Sequence, residues 1–495
     1  MKPRKRFAFR AKKTLRIPVA VLCLIASHSL LRAQAPEESE DIMLQGFYWN
    51  SQTVTGWTQL LDMAAEIGSY YTCIWLPPSA SAEGGGDVGG TNVGYHPREW
   101  TNQTSCWGTS DDLKTLISTL HSYDVKVIAD IVINHRAGDT DWGNFTLDDF
   151  GTYGCYQLTA EHICCDDEMN TDTSAGTWYG LATGAADTGE NWSGARDLDH
   201  TSAYVQGDCI AYLQWLQGEY GYDGWRYDYC KGYSGAYVGL YNDASDPYIS
   251  VGEYFDGSYD PVAAWIDDTG KKSMAFDFPA KYAAFNNGLA SGTYSNMSWI
   301  EDNTTWRPAG MIHHANYNRY AVTFVDNHDT YIDSNKYTGD VAQAYAFLLS
   351  APGIPCVFYP HWTGYKALIK KMIAARRTAG IHSQSDVEVT QRSTYYECLA
   401  QGHNGNLICR IGSSAPSDVP DGYFLACSQG TSWKYYLSED LQEAYTAIAD
   451  VDADDDASPA TQAIYTLSGT RVSDTTAPGI YILRQGSDSK KILVR

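Results

Sequence analysis

The feature that most restricts what this chain can fold into is a repeated alternation of short, almost wholly apolar runs with amphipathic helical stretches. The runs IMLQGFYWN (from residue 42), TCIWLPP (72), VKVIADIVINHR (125), DGWRYDYC (223), ISVGEYFD (249), SMAFDFP (273), AVTFVDNHDT (321) and PCVFY (355) make eight strands. Helical patterns fall between them, at residues 58–67, 111–123, 202–220 and, after the last strand, through residue 377. Strands that are apolar on both faces belong to a parallel sheet covered on both sides, and strand-helix alternation is how such a sheet is connected. Eight repeats predict a (β/α)8 barrel, an α/β fold. It occupies residues 41–136 and 197–380. The interruption at residues 137–196 has no sustained period and is far longer than an ordinary loop, so it reads as an inserted small domain. Residues 381–447 turn to short alternating strands such as STYYECLAQ and GNLICRIG, a separate antiparallel β domain. An acid-rich linker follows at 448–462, containing VDADDDAS, and then a small β module at 463–495 with a turn at Pro478-Gly479.

The first 33 residues stand apart. Residues 1–16 are rich in Lys and Arg with no acid, an apolar run follows to Leu31, and Ala33-Gln34-Ala35 supplies small residues for cleavage. This is the pattern of a secretory signal peptide, and the run is shorter than the ~20 residues of a spanning helix. The expected product is secreted or cell-surface, with no membrane span. The whole chain carries a net charge of -24. Residues 1–33 hold nine bases and no acid, so the remainder stands at -24 - 9 = -33. Such a surface repels nucleic acid and anionic membranes, and suits a neutral substrate or cations. Of 12 cysteines, Cys23 lies in the leader, leaving an odd eleven. Cys155, Cys164 and Cys165 cluster in the insertion and are expected to supply a bridge, with thiolate metal ligation the weaker alternative. The 15 Trp and 37 Tyr, many in Gly-rich and Asp-rich loops, suit stacking on flat apolar faces such as those of sugars.

In a parallel barrel the working residues project from the C-terminal strand ends. The third strand ends in Asp130, Asn134 and His135, the fourth in Arg226 and Asp228, the fifth in Glu253, the seventh in His328 and Asp329. Arg226 and Asp228, two apart on a strand, share a face. The arginine is therefore expected to lower the aspartate's pKa and keep it ionised, as a carboxylate nucleophile requires. An ordinary intrastrand ion pair would explain that dipeptide alone. It does not explain Asp228, Glu253 and Asp329 together with two histidines and an arginine at one end of four strands.

The stretches VIADIVINHR, GWRYDYCKGYS, VGEYFD and FVDNHD, in that order and spacing, resemble the four signature regions of the α-amylase family of retaining glycoside hydrolases, most closely the plant and archaeal enzymes. The resemblance covers residues 41–437. It implies Asp228 as nucleophile, Glu253 as general acid/base and Asp329 as the carboxylate that binds sugar hydroxyls and stabilises the transition state. It further implies Tyr95, His135, Arg226, Lys231 and His328 as substrate-binding or supporting groups. Like charges on Asp228 and Asp329 are expected to raise the pKa of Glu253. Tyr227 and Tyr229 flank the nucleophile where smaller or apolar residues are common. The implied substrate is an α-glucan, cut internally at α-1,4 bonds of starch or glycogen by a monomer. A pullulan-cleaving or maltooligosaccharide-forming relative, or a non-catalytic starch-binding protein on the same fold, are the alternatives; the presence of all three carboxylates speaks against the last.

The resemblance also implies calcium. In AADTGENWSGARDLDH the spacing of Asp187 and Asp197 matches the calcium loop of the plant enzymes, with Asn134 adding a side-chain oxygen and Glu190 and Gly232 backbone carbonyls, an all-oxygen set of the kind this ion takes. A second family site drawing on Asp167 is weakened by Asn191, which stands where an aspartate is expected. The tail from residue 463 resembles the C-terminal sorting modules of secreted Bacteroidetes proteins.

Overall fold

The structure, a computed structural model, describes residues 35–83, 93–298 and 307–448 in full and the backbone of four strands between 463 and 494. Eight parallel strands close into a barrel: β1 (Met43–Gln45), β2 (Cys73–Trp75), β3 (Lys126–Ile131), β4 (Gly224–Tyr227), β5 (Ser250–Gly252), β6 (Met274–Phe276), β7 (Ala321–Phe324) and β8 (Ile354–Phe358). Closure comes from β1 pairing with β8, Met43 opposite Cys356. All eight expected strands are present and nearly every residue in them is buried, which is why their sequences read as unbroken apolar runs. Since the strands are parallel, their C-terminal ends all open onto one face.

The helices differ from expectation in detail. The first is broken at Met63 into Trp57–Asp62 and Ala64–Tyr70. Ser110–His121 starts under a capping box, Thr109 accepting from the Asp112 N–H while Asp112 accepts from that of Thr109. Ala203–Trp215 runs on into a wider turn over Leu216–Tyr220, which ends at Gly221 in the left-handed conformation.

The insertion leaves the barrel through a narrow neck. His135–Arg136 pairs antiparallel with Arg196–Asp197, so residues 137–196 enter and leave side by side. Arg136 is buried in the neck against the equally buried Asp148, and its guanidinium also donates to the Arg98 carbonyl and lies over Trp100. The expected disulfide is not found: all eleven described cysteines are free thiols. Cys155 is exposed on the strand Cys155–Gln157, whereas Cys164 is buried with its N–H on the Asp197 carbonyl.

After the barrel, β9 (Val387–Arg392), β10 (Tyr396–Gln401), β11 (Asn406–Ile411), β12 (Tyr423–Gln429) and β13 (Trp433–Ser438) form one antiparallel sheet in the order β9-β10-β11-β13-β12. It packs on the barrel helices Val341–Ser350 and Tyr359–Ala379. The tail forms a four-stranded antiparallel sheet from Ala463–Thr466, Arg471–Val472, Gly479–Gln485 and Asp488–Val494. The leader at 1–33 and all but the first residue of the linker at 448–462 lie outside the described residues. Among the described residues no helix is long and apolar enough to cross a membrane.

Candidate active site

At the centre of the open face stands the Arg226 guanidinium, fully buried and gripped by three carboxylates. Parallel register sets Arg226 on β4 directly beside Asp130 on β3, and Arg226 Nη1 donates to Asp130 Oδ1 at 2.8 Å and to Asp228 Oδ1 at 2.7 Å. Its Nη2 lies 2.7 Å from Glu253 Oε1, but off the hydrogen-bond line, so this contact is an ion pair and Oε1 keeps no aligned partner. Backbone hydrogen bonds extend the ladder past the strand ends and fix both acids: Asp228 N–H donates to Ile131 and Glu253 N–H to Tyr227.

These contacts set the protonation. Burial pushes Glu253 up to about 8; Arg226 opposes this, and Asp228 and Asp329 add to it, as expected from the sequence. For Asp228 the expectation fails in sign. Arg226 does pull it down, but burial is the larger effect and leaves Asp228 raised, to about 7. Asp130 is raised to about 6, again chiefly by burial. One cation among three buried carboxyls cannot keep them all charged, so the cluster shares a proton at neutral pH.

The seventh strand delivers Asp329 and His328 through a tight turn in which Asn327 Oδ1 accepts from the backbone N–H groups of Asp329 and Thr330. Asp329 Oδ1 accepts from Trp49 Nε1 at 3.0 Å. His328 is buried and neutral, its pKa lowered to about 4 by burial. Gln45 donates to its Nδ1 at 3.0 Å, which leaves the proton on Nε2, 2.8 Å from the Tyr95 hydroxyl; that hydroxyl donates in turn to Asp130. Tyr95 and His328 stack with ring centroids 5.3 Å apart. His135, held neutral by burial with a pKa near 3, points Nε2 at the Tyr95 carbonyl and stacks on Trp192 at 3.9 Å.

The cleft lined by these groups has a volume of about 280 Å³ and brings together Tyr95, His135, Asp228, Glu253, His328 and Asp329. Arg226 lies beneath it. Lys231 does not line it: its ammonium sits 2.9 Å from Glu190 and 3.6 Å from Asp256, joining the insertion to the loop after β5. The sequence reading missed Trp49, His96, Trp192 and Tyr229, which also line the cleft. Tyr229 adopts φ +41, a left-handed conformation rare for a bulky residue, and thereby turns its N–H onto Glu253 Oε2 at 3.2 Å. Strain of that kind at a strand end leaves no mark in composition or period. For Trp49 a mark existed: an aromatic cluster directly after the first strand.

Beside the cleft the proposed calcium residues converge. Asn134 uses its amide nitrogen on Asp197 Oδ1, at 3.1 Å, which turns its oxygen toward Gly232. A Cβ on Gly232 would stand 1.9 Å from that oxygen, so only glycine allows the approach. Glu190 N–H donates to the Lys231 carbonyl at 2.8 Å, drawing the two loops together, while Asp187 Oδ2 is buried without a partner. Burial raises Asp187 to about 6 and Asp197 to about 8. An orphaned buried carboxylate oxygen, a second buried carboxylate and a glycine cradle form a donor set that fits a hard cation. Asp167 is committed elsewhere: it takes Arg196 and the N–H groups of Met169 and Asp197. Glu38, His382 and His403 also bring donor atoms within 4.8 Å of one another, but the two imidazoles stack nearly parallel and His403 is ion-paired with Glu38 and Glu40, so their lone pairs do not converge on one point.

A parallel barrel bearing three buried carboxyls on one guanidinium, with a fourth beside them in an aromatic cleft, defines a glycoside hydrolase. Residues 50–392 match the family model for the α-amylase catalytic domain, and the chain belongs to that family. It is 31% identical to probable α-amylase 2 of Arabidopsis thaliana over 80% of this chain and 91% of that one. It is also 26% identical to a glucan 1,4-α-maltotetraohydrolase of Roseateles saccharophilus, over 78% of this chain and 70% of that one. In fold it is similar to the α-amylase of Geobacillus thermoleovorans solved with acarbose, with a TM-score of 0.56 at 16% identity, covering 82% of this chain and 99% of that one.

Proposed function

We propose that this chain is an endo-acting α-amylase that hydrolyses internal α-1,4-glucosidic bonds of starch or glycogen with retention of configuration. The observation that carries this reading is the pair Asp228 and Glu253, each 2.7 Å from a different terminal nitrogen of Arg226. Carboxyls set close together, at roughly 5–5.5 Å in retaining enzymes, leave no room for a water between the second carboxylate and the anomeric carbon, so that carboxylate itself attacks. Glu253, protonated at neutral pH, gives its proton to the glycosidic oxygen as the bond breaks. Asp228 attacks the anomeric carbon and forms a glycosyl ester. Glu253, now a carboxylate, takes a proton from water, which adds to the anomeric carbon and releases Asp228. Asp329, fixed by Trp49, accepts from sugar hydroxyls, while the neutral His135 and His328, each with Nε2 on Tyr95, hold that residue in place without adding charge that would compete for Asp228.

Asn134, Asp187 and Asp197, with the carbonyls of Glu190 and Gly232, would hold a calcium ion, which when bound ties the insertion to the loop behind the nucleophile. The α-glucan substrate fits a surface of strong negative charge, since the polymer is neutral. The leader is read as directing export, and the four-stranded tail as a sorting module; the enzyme is read as acting as a monomer. Soluble starch and pullulan, offered side par side with products sized by chromatography, test the reading. A ladder of maltooligosaccharides from starch with pullulan left intact supports it. Release of one length only, or cleavage of pullulan, transfers the chain to a maltooligosaccharide-forming or pullulan-cleaving reading.

A further inference from the structure

Trp192 is the far wall of the catalytic cleft, and behind it lies a second, larger cavity of about 730 Å³. Trp142, Arg98, Asp139, Asp141, Gly194 and Arg196 line this basin. The two linings touch through Gly194 and Trp192: a Cβ on Gly194 would fall 2.0 Å from the Trp192 ring, so the ring packs on bare backbone. Both tryptophans are held in place. Trp192 stacks on His135 at 3.9 Å, meets His96 edge-on at 5.3 Å, and donates its backbone N–H to Asp197 Oδ2 at 3.1 Å. Trp142 lies under the Arg196 guanidinium, 4.1 Å from its ring centroid, and Arg196 is in turn paired with the buried Asp167.

A half-buried indole with Arg196 on one face, at the wall of an open basin of carboxylates and arginine, suits a ligand that lays one apolar face on the other side of the ring and carries a rim of hydroxyls. A hexose ring has that shape: its C–H face stacks on an aromatic, and its hydroxyls donate to carboxylates and accept from guanidinium groups. We infer that the basin is a distal glucan-binding subsite with Trp142 as its stacking platform, and that Trp192 is the post over which the chain passes to the cleavage point. The inference rests on the α-glucan reading above and goes beyond it, because it makes the advantage of long substrates depend on the insertion.

The test compares kcat/KM on maltotriose and maltoheptaose for the wild type, Trp142→Ala, Trp142→Phe and Trp192→Ala. Trp142→Ala is expected to lose about two- to tenfold on maltoheptaose, the worth of one aromatic contact, and less on maltotriose. Phenylalanine at 142 restores most of that loss, and Trp192→Ala loses at both lengths. Calorimetric titration of maltoheptaose into Glu253→Gln, with and without Trp142→Ala, gives a second readout and is expected to show Kd weakened by a similar factor. Equal losses of Trp142→Ala at both lengths, no loss at either, or an unchanged Kd would overturn the subsite. Should the wild type turn over neither oligosaccharide, the hydrolase reading fails on its own, and the titration still decides the basin.

Discussion

At the scale of single residues, the chemistry depends on which of two buried carboxyls holds a proton. Asp228→Asn and Glu253→Gln preserve shape and remove, respectively, the attacking charge and the transferable proton. Each is expected to lower kcat on starch by roughly 10²–10⁴-fold or more while the protein still unfolds cooperatively. Activity above a few per cent in either variant would reassign that residue. The pH profile follows from the raised Glu253. Its acid form is present below about 8 and is lost as pH rises through that value, so kcat/KM should fall on the alkaline side. Asp329 is one of the charges that hold Glu253 up. In Asp329→Asn the alkaline limb of the residual activity should therefore move to lower pH. A limb that stays in place would mean that Asp329 exerts no field on the acid.

At the scale of elements, the loop after β7 is kept rigid by a buried pair beneath it. Lys281 donates to Asp326 at 2.6 Å with neither side chain exposed, and Asp326 also accepts from Thr330 and the Tyr337 N–H. Lys281→Ala leaves that carboxylate buried and unpaired, and should cost about 3–5 kcal/mol in denaturant unfolding; a cost below about 1 kcal/mol would show that the pair contributes little. The helix Ala203–Trp215 carries the opposite case, Asp208, whose two carboxylate oxygens are buried without partners. Burial raises it to about 8, so the folded state holds a proton that the unfolded chain gives up near its ordinary value of 3.8. Stability from this group is complete below that lower value and is lost as pH rises through about 8. Asp208→Asn should flatten the decline in unfolding temperature over that window, and an unaltered slope would contradict it. These elements were legible to different degrees. Eight strands could be read because two-sided burial writes a continuous apolar run, and Asp228, Glu253 and Asp329 because each follows such a run. Trp192 and Trp142 could not, since a lone tryptophan in an aperiodic loop has no pattern to betray which way it faces. The sign of the Asp228 shift was misread because sequence shows its neighbour Arg226 but not the depth at which both are buried. Lys231 follows the nucleophile by three residues, yet its acidic partners come from two distant loops.

At the scale of the whole molecule, the insertion, the barrel and the loop behind β4 meet at Asn134, Asp187, Asp197 and Gly232. A ligand bound there in the native state alone adds stability by mass action, about 2.7 kcal/mol at a hundredfold excess over Kd. A chelator should therefore lower both the unfolding temperature and the activity, and added calcium should restore them. An unfolding temperature indifferent to both, with metal-free protein by elemental analysis, would remove the ion from the account. Deleting the tail after residue 450 should leave starch hydrolysis by protein made without export unchanged, and mass spectrometry of the exported protein should find the tail missing. A tail retained and needed for granule binding would contradict its reading as a sorting module. The central claim, that Asp228 attacks the sugar and Glu253 serves first as acid and then as base, is tested most directly by the anomeric form of the first products. Proton NMR recorded during the opening minutes of soluble starch hydrolysis, before mutarotation, should show new reducing ends in the α configuration; reducing ends that appear as the β anomer would mean inversion and would contradict the covalent role of Asp228.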